Sequence, residues 1–155
     1  MPIVYQRSTG GISVCVPCIS VDDPQGFTIE QAYQRALNKD IPIDAINVLR
    51  FADGILPTND MFRNAWLAVD VQGNITYGGK EAYSVVDANL RAEMQSYITQ
   101  LNLLTNLGRS TTTVQANISD CQSRAKQLDA LVIPDIADAA TLATLKSLIK
   151  APVSQ

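Results

Sequence analysis

Apolar side chains recur every three or four residues along nearly a third of the chain, from Val86 to Val132. The first run consists of Val86, Leu90, Met94, Tyr97, Leu101 and Leu104. The second run consists of Val114, Ile118, Cys121, Ala125, Leu128 and Val132. Alternating spacings of four and three place such side chains on one helical face, which is typical of helices that pack lengthwise on one another. The pattern predicts two long helices with a shared seam.

The link between the two runs predicts a sharp turn. Leu104 and Val114 are ten residues apart, so the heptad phase breaks there. Gly108 lies where a helix-ending glycine is expected, and Ser110 or Thr111 can cap a new helix. These features favour an antiparallel αα-hairpin over one continuous rod.

We expect the first long helix to begin near Tyr83 or Ser84, after a hinge at Gly78-Gly79, and to run to about Leu107. Pro134 is expected to end the second, because proline cannot continue a helix. A short third helix then carries apolar side chains on one side, namely Leu142, Leu145, Leu148 and Ile149. Its expected first residue is Asp138 or Thr141.

Two pairs of charged residues have an acid four positions before a base, Asp87–Arg91 and Asp120–Arg124. Such pairs stabilise an exposed helical face slightly. We interpret both as support for helix formation and as nothing more.

The region before the hairpin is strand-rich. Short β-prone runs occupy residues 3–7, 12–16, 45–51, 67–71 and 75–77. Gly10-Gly11 predicts a tight hairpin between the first two runs, because adjacent glycines supply positive φ. Gln72-Gly73-Asn74 predicts a second hairpin between the last two. Thr28 and Gln31 have the spacing of a capping box, which predicts that a short helix begins at Thr28.

These elements predict an α+β fold in two parts. Residues 1–79 form a small β-hairpin-rich head with one short helix, and residues 80–155 form a long antiparallel αα-hairpin and a short C-terminal helix. A turn is expected at Asp22-Asp23-Pro24-Gln25-Gly26.

Charge is uneven along the chain. Residues 1–83 carry nine acids and six bases, which accounts for the whole net charge of −3. Residues 84–132 are neutral, and nineteen of these 49 residues are Ser, Thr, Asn or Gln. A freely solvated helix usually carries more charge, so we expect another chain to cover this surface. The acidic total, without any cluster of Lys and Arg, argues against a nucleic-acid partner.

Candidate chemistry is sparse. The chain has no histidine and no apolar run of about 18 residues, so we expect neither histidine-dependent catalysis nor a membrane span. Cys15-Val16-Pro17-Cys18 is an isolated CxxC at the end of a predicted strand, without further zinc ligands. We interpret Cys15 and Cys18 as buried strand residues and Cys121 as part of the helical seam. We therefore expect no enzyme, cofactor or metal, and a thiol-dependent enzyme is the remaining alternative.

One segment concentrates residues that are common at contacts. Phe62-Arg63-Asn64-Ala65-Trp66 contains the single tryptophan and lies between predicted strands. Phe62 and Trp66 could be buried anchors while Arg63 and Asn64 hold the loop backbone. The same four side chains could instead form an exposed contact for a partner.

At this motif the chain resembles a group of small tailed-bacteriophage proteins. These pair a Gly-Gly-(Val/Ile)-Ser hairpin with a segment ending in FRNAW, and the matching residues are Gly10-Gly11-Ile12-Ser13 and 62–66. The C-terminal Ile133-Pro134 step and the Asp/Ala-rich stretch after it are also similar. The helical hairpin departs from the pattern, because those proteins are rich in Arg, Lys and Glu there. The resemblance implies a role in phage morphogenesis or in the virion and carries no catalytic residues.

We expect a phage virion structural protein that acts through protein–protein contacts in the tail, neck or fibre region. Its partners would be other virion proteins and copies of itself, and its location the virion, or the host cytoplasm during assembly. The alternative is a non-virion tail or tail-fibre assembly chaperone. The expected seam consists of Leu90, Met94, Tyr97, Leu101, Leu104, Ile118, Cys121 and Leu128.

Overall fold

The computed structural model describes residues 1–17 and 28–150. These residues form an α+β fold with two small antiparallel sheets, and the long helices follow the strands, which confirms the predicted fold class. The chain divides into two compact units, Met1–Thr76 and Tyr77–Gln155. The turn expected at residues 22–26 lies outside the described residues.

Unit 1 contains the strands β1 (Ile3–Gln6), β2 (Ile12–Cys15), β3 (Ile46–Arg50) and β4 (Trp66–Val69), the helix α1 (Ile29–Lys39) and the start of β5 (Ile75–Gly78). The first sheet has the order β2-β1-β3, with β1 antiparallel to both neighbours. Gly10 and Gly11 turn the chain between β1 and β2 with φ of 90° and 79°, as expected for this hairpin. The register pairs Ile3 with Cys15 and Gln6 with Ile12.

The core of unit 1 lies on this sheet. Val4, Phe51 and Leu56 form its buried cluster, and the partly buried side chains packed against them are Ile12, Val14, Leu49 and Val69. Burial of this apolar surface is the main term that stabilises so small a module.

Helix α1 begins with the predicted capping box. Gln31 donates its backbone N–H to the Thr28 hydroxyl at 3.3 Å, and the Gln31 side chain accepts from the Thr28 N–H at 2.8 Å. Ala32 and Ala36 are buried, whereas Ile29, another apolar residue of this helix, is 56% exposed. The buried face of α1 is therefore narrower than its apolar pattern suggests.

The second predicted hairpin is also present. The Asp70 N–H donates to the Asn74 carbonyl at 3.0 Å, and Gly73 has a φ of 88°. The second sheet has the order β4-β5-β6, and the division between the units falls within β5. In unit 2, Tyr77 and Gly78 of β5 pair with β6 (Ile136–Ala137), a strand that the sequence pattern did not predict.

Unit 2 is built on α2 (Gly79–Asn106), α3 (Thr112–Asp129) and α4 (Ala139–Ser147). Early residues of α2 bond late residues of α3. The Tyr83 hydroxyl donates to Asp129 at 3.0 Å, and the Cys121 thiol donates to the Leu90 carbonyl at 3.4 Å. The two helices therefore form the predicted antiparallel hairpin within one chain.

The turn between the helices follows a known capping geometry. The Gly108 N–H donates to the Thr105 carbonyl at 3.0 Å, and the Arg109 N–H donates to the Leu104 carbonyl at 2.9 Å. Gly108 has a φ of 63°. These paired bonds define a Schellman motif, in which a glycine ends the helix in the left-handed region.

Three expectations about the helix bounds are wrong. Helix α2 begins at Gly79, four residues before Tyr83, so Gly79 is not a hinge. A Cβ at Gly79 would lie 1.8 Å from the Pro134 carbonyl oxygen, and only glycine permits this close approach. Helix α3 ends at Asp129, well before Pro134, because the chain turns there to reach β6. Val132 consequently lies outside the seam and is 95% exposed.

Candidate protein-contact surface

The FRNAW segment is anchored in unit 1 by its aromatic side chains. Phe62 and Trp66 are both buried. The Asp60 carboxylate accepts from the Trp66 indole N–H at 2.6 Å and from the Phe62 backbone N–H at 2.9 Å. One carboxylate thus fixes both the ring and the loop. This geometry favours the structural anchor of the two interpretations that the sequence left open.

The polar residues of the same segment lie at the surface. Arg63 and Asn64 are exposed, and the Arg63 guanidinium lies 5.6 Å from the centre of the Trp66 ring, within cation–π range. In the anchor interpretation Arg63 and Asn64 hold the loop backbone, but Asp60 makes the loop bonds described above. Sequence reasoning missed Asp60, although an Asp that accepts from the amide two residues on is a common turn signal.

The expected helical seam faces the interior of the hairpin to different degrees. Leu90, Cys121 and Leu128 are buried. The half-buried members are Met94, Tyr97, Leu101, Leu104 and Ile118. Burial raises the pKa of the Cys121 thiol, so this cysteine is protonated and packs as a small apolar side chain. The most deeply buried of the expected seam residues therefore lie in the half of the hairpin away from the Gly108 turn. We call that half the base of the hairpin and the end that carries the turn its tip.

Arg124 is the main feature of unit 2 that the sequence did not reveal. Its side chain is only 9% exposed. It bonds both oxygens of the Glu93 carboxylate, at 2.6 and 2.9 Å, and donates to Asp120 at 2.9 Å. It also donates to the Leu148 carbonyl at 2.9 Å. The interpretation of Asp120–Arg124 as a surface pair is therefore wrong: Arg124 joins α2, α3 and the end of α4.

Neighbouring charges complete this network. Lys150 lies 2.7 Å from Asp120, and the Tyr97 hydroxyl donates to Glu93 at 3.0 Å. The hydrogen bond from Arg124 lowers the pKa of Glu93, and that from Lys150 lowers the pKa of Asp120. The pKa of Arg124 is raised, chiefly by Glu93. Glu93, Asp120, Arg124 and Lys150 are charged at neutral pH, so the buried Arg124 is compensated by one carboxylate on α2 and another on α3.

Helix α4 covers the hairpin on the side of this network. Leu145 of α4 and Leu148, the C-cap residue of that helix, are buried, and the Leu148 carbonyl accepts from Arg124. Asp138 caps α4 by accepting from the Thr141 N–H at 2.7 Å, as its position predicted. Helix α4 thus fixes the base of the hairpin.

The opposite side of the hairpin carries an open groove of about 480 Å³. Its apolar lining comes from the seam, namely Leu90, Met94, Cys121 and Ala125. Charged residues flank it, with Asp87 and Arg91 on α2 and Asp129 on α3. Asp87 and Arg91 form an ion pair at 2.7 Å. We call this surface the groove side of the hairpin.

The tip half of the hairpin, residues 94–119, contains a single charged residue, Arg109. The ion pairs described above lie nearer the base. Leu103 of α2 and Leu107, the C-cap residue of that helix, are each 58% exposed, and Ile98 is 39% exposed. A surface with one charge and two exposed leucines desolvates at low cost, which is typical of a protein contact.

The described residues offer little for other chemistry. They contain no cluster of three or more His, Cys, Asp or Glu side chains that could hold a metal ion. Cys15 is half-buried at the end of β2, whereas Cys18 lies outside the described residues. Within residues 1–17 and 28–150, no helix is both long and apolar enough to cross a membrane.

Comparison of the chain with protein-family models, with curated proteins and with solved structures finds no match. A functional proposal therefore rests on the molecule's own residues and on the resemblance described from its motifs. Among the described surfaces, the hairpin tip and groove side are those best suited to binding another protein.

Proposed function

We propose that this chain is a structural component of a tailed-bacteriophage particle and contacts other virion proteins in the tail, neck or fibre region. The observation that carries the proposal is the tip half of the hairpin, where 26 consecutive residues include one charge and Leu103 and Leu107 remain exposed. The Gly-Gly hairpin and FRNAW motifs, which resemble those of small phage proteins, supply the biological setting.

The tip suits a contact whose binding free energy comes mainly from the burial of apolar surface area. Covering Leu103 and Leu107 would contribute on the order of 1 kcal/mol each, since each is already partly buried. The surrounding Ser, Thr, Asn and Gln side chains have no net charge to desolvate, and they can exchange hydrogen bonds with water for bonds across an interface. Several such hairpins in a ring or fibre would add their contributions.

The base of the hairpin supports this role mechanically. Arg124 ties α2, α3 and α4 together, so the tip projects from a base whose geometry is fixed. A rigid base reduces the conformational entropy that is lost when the tip binds. The chain would be made in the host cytoplasm and would remain in the mature virion.

Quantitative mass spectrometry of purified particles tests this proposal. We expect the chain in many copies per particle, at a constant ratio to a major tail protein. Its absence from particles, together with loss of assembly when its gene is deleted, would contradict the proposal and favour an assembly chaperone that leaves before maturation.

A further inference from the structure

The seam between α2 and α3 is covered by a third helix of the same unit on one side only. Helix α4 lies on the side of Arg124, where Leu145 and Leu148 are buried. On the groove side, Met94 and Ala125 stay half-buried beside the groove of about 480 Å³. Two helices alone leave such seam positions partly in water, and a bundle of four closes them.

The groove side continues toward the tip along one face of α2. Asp87, Arg91, Met94 and Ile98 are spaced by four, three and four residues, so they share a helical face. Ile98 is 39% exposed, although it lies directly beyond the groove lining. The uncovered apolar surface is therefore an extended strip rather than a closed pocket for a small molecule.

The charges beside the groove are self-complementary. Arg91 on α2 and Asp129 on α3 carry opposite signs, and Asp87 adds a second acid. When a second copy is related by a two-fold axis, Arg91 of each copy comes near an acidic residue of the other copy. Residues 84–132 carry four acids and four bases, so two such hairpins meet without net repulsion.

The area of this face fits a dimer. From Asp87 to the end of α2 at Asn106, twenty residues span about 30 Å. Two packed helices present a face about 20 Å wide. The resulting footprint of about 600 Å² is of the same order as the ~800 Å² per partner of a standard stable interface.

We propose that two copies of this chain pair through the groove sides of their α2–α3 hairpins and form a four-helix bundle. This inference rests on the proposed function, because it makes a dimer the structural unit of the particle. The tip residues Leu103 and Leu107 then remain available to bind other proteins. The occupant of the groove is thereby a second copy of the same chain.

Sedimentation equilibrium of the full chain between about 1 and 100 µM tests the pairing. We expect a mass of twice 16.8 kDa at the upper concentrations. Ile98→Glu should raise the dimer dissociation constant at least tenfold, because it places a charge in the apolar strip. Ser96→Glu is the matched control, since its exposed position lies about 200° around the helix from Ile98 and should leave the constant unchanged.

The variant remains interpretable because Ile98 is partly exposed in the monomer, and circular dichroism at low concentration should show an unchanged helix content. A wild-type monomer at 100 µM overturns the pairing, and so does equal weakening by both substitutions. The proposed function fails on a different result, absence of the chain from purified particles. A monomer that is abundant in particles would thus refute the dimer alone.

Discussion

Arg124 and Glu93 lie 31 residues apart in sequence, yet two guanidinium nitrogens of Arg124 lie 2.9 and 2.6 Å from the two carboxylate oxygens of Glu93. The Arg124 side chain is 9% exposed and the Glu93 side chain 21%. This bidentate pair crosses from α3 to α2 and holds the base of the hairpin, which makes it the most informative place to perturb unit 2.

Glu93→Ala should destabilise the protein by about 3 kcal/mol, because it leaves a buried guanidinium without its main partner. Urea denaturation followed by circular dichroism measures this change. Glu81→Ala, at an exposed position of the same helix outside the groove, should have a much smaller effect. The double variant Glu93→Leu, Arg124→Met should lose less stability than the sum of its single variants. Additive losses would mean that the pair is not coupled.

The stability that Glu93 contributes should depend on pH. Its pKa in the folded state is lowered from 4.5, chiefly by the hydrogen bond from Arg124. Above 4.5 the group is charged in both states and its contribution is complete. As the pH falls through 4.5 toward the lower folded value, the unfolded chain takes up the proton first and the contribution is lost.

The difference in unfolding free energy between the wild type and Glu93→Gln should therefore shrink as the pH is lowered from about 6 to about 3. Denaturation curves of both proteins across this range provide the measurement. Other carboxylates are common to both chains and cancel in the difference. A difference that stays constant with pH would rule out the proposed ionic contribution.

For Gly79→Ala, the sign of the change in unfolding free energy distinguishes two effects. Helix propensity alone favours Ala over Gly by up to about 1 kcal/mol. The close approach of the Pro134 carbonyl, 1.8 Å from the position of a Cβ, predicts a loss of about 2 kcal/mol or more instead. Thermal unfolding distinguishes the two signs. Lys80→Ala, at the exposed neighbouring position, should be nearly neutral, and a stabilising Gly79→Ala would contradict the packing described for this residue.

Asp60→Ala should loosen the FRNAW anchor in unit 1. It removes the acceptor for both the Trp66 indole and the Phe62 amide, at a cost of about 2 kcal/mol. Trp66 is the single tryptophan, so its fluorescence reports on this site during denaturation. Arg63→Ala, which alters an exposed side chain of the same segment, should have a much smaller effect. Equal losses would mean that Arg63 contributes as much to the anchor as Asp60.

Local signals predicted most of the fold. Gly10-Gly11, Gln72-Gly73-Asn74 and the Thr28–Gln31 spacing identified two turns and a helix start, because those features depend on residues close in sequence. The three- and four-residue spacing identified the hairpin, and Gly108 its turn. These signals depend on neighbouring residues, and the structure has the turns and helices that they predict.

Three of the misses share a physical cause, since each depends on a contact distant in sequence. The partner of Arg124 across the hairpin is Glu93, 31 residues earlier, which no local spacing reveals. Strand β6 has two residues and exists through its pairing with Tyr77 and Gly78. The glycine pair at Gly78-Gly79 does not reveal the close packing of Gly79, because its neighbour in space, Pro134, is more than fifty residues away in sequence. The proposal of a contact surface rests on composition, whereas the distinction between a tip and a groove side required the structure.

The copy number of hairpin variants in purified particles tests most directly the claim that the tip joins this chain to a virion. Particles would be prepared from phage encoding the wild type, Leu103→Glu with Leu107→Glu, or Ala92→Glu, an exposed control position on the same face of α2, three turns nearer the base. Quantitative mass spectrometry should find the wild type and the control in equal, high copy number and the double variant reduced at least tenfold. Full incorporation of the double variant, or absence of the wild-type chain, would contradict the claim.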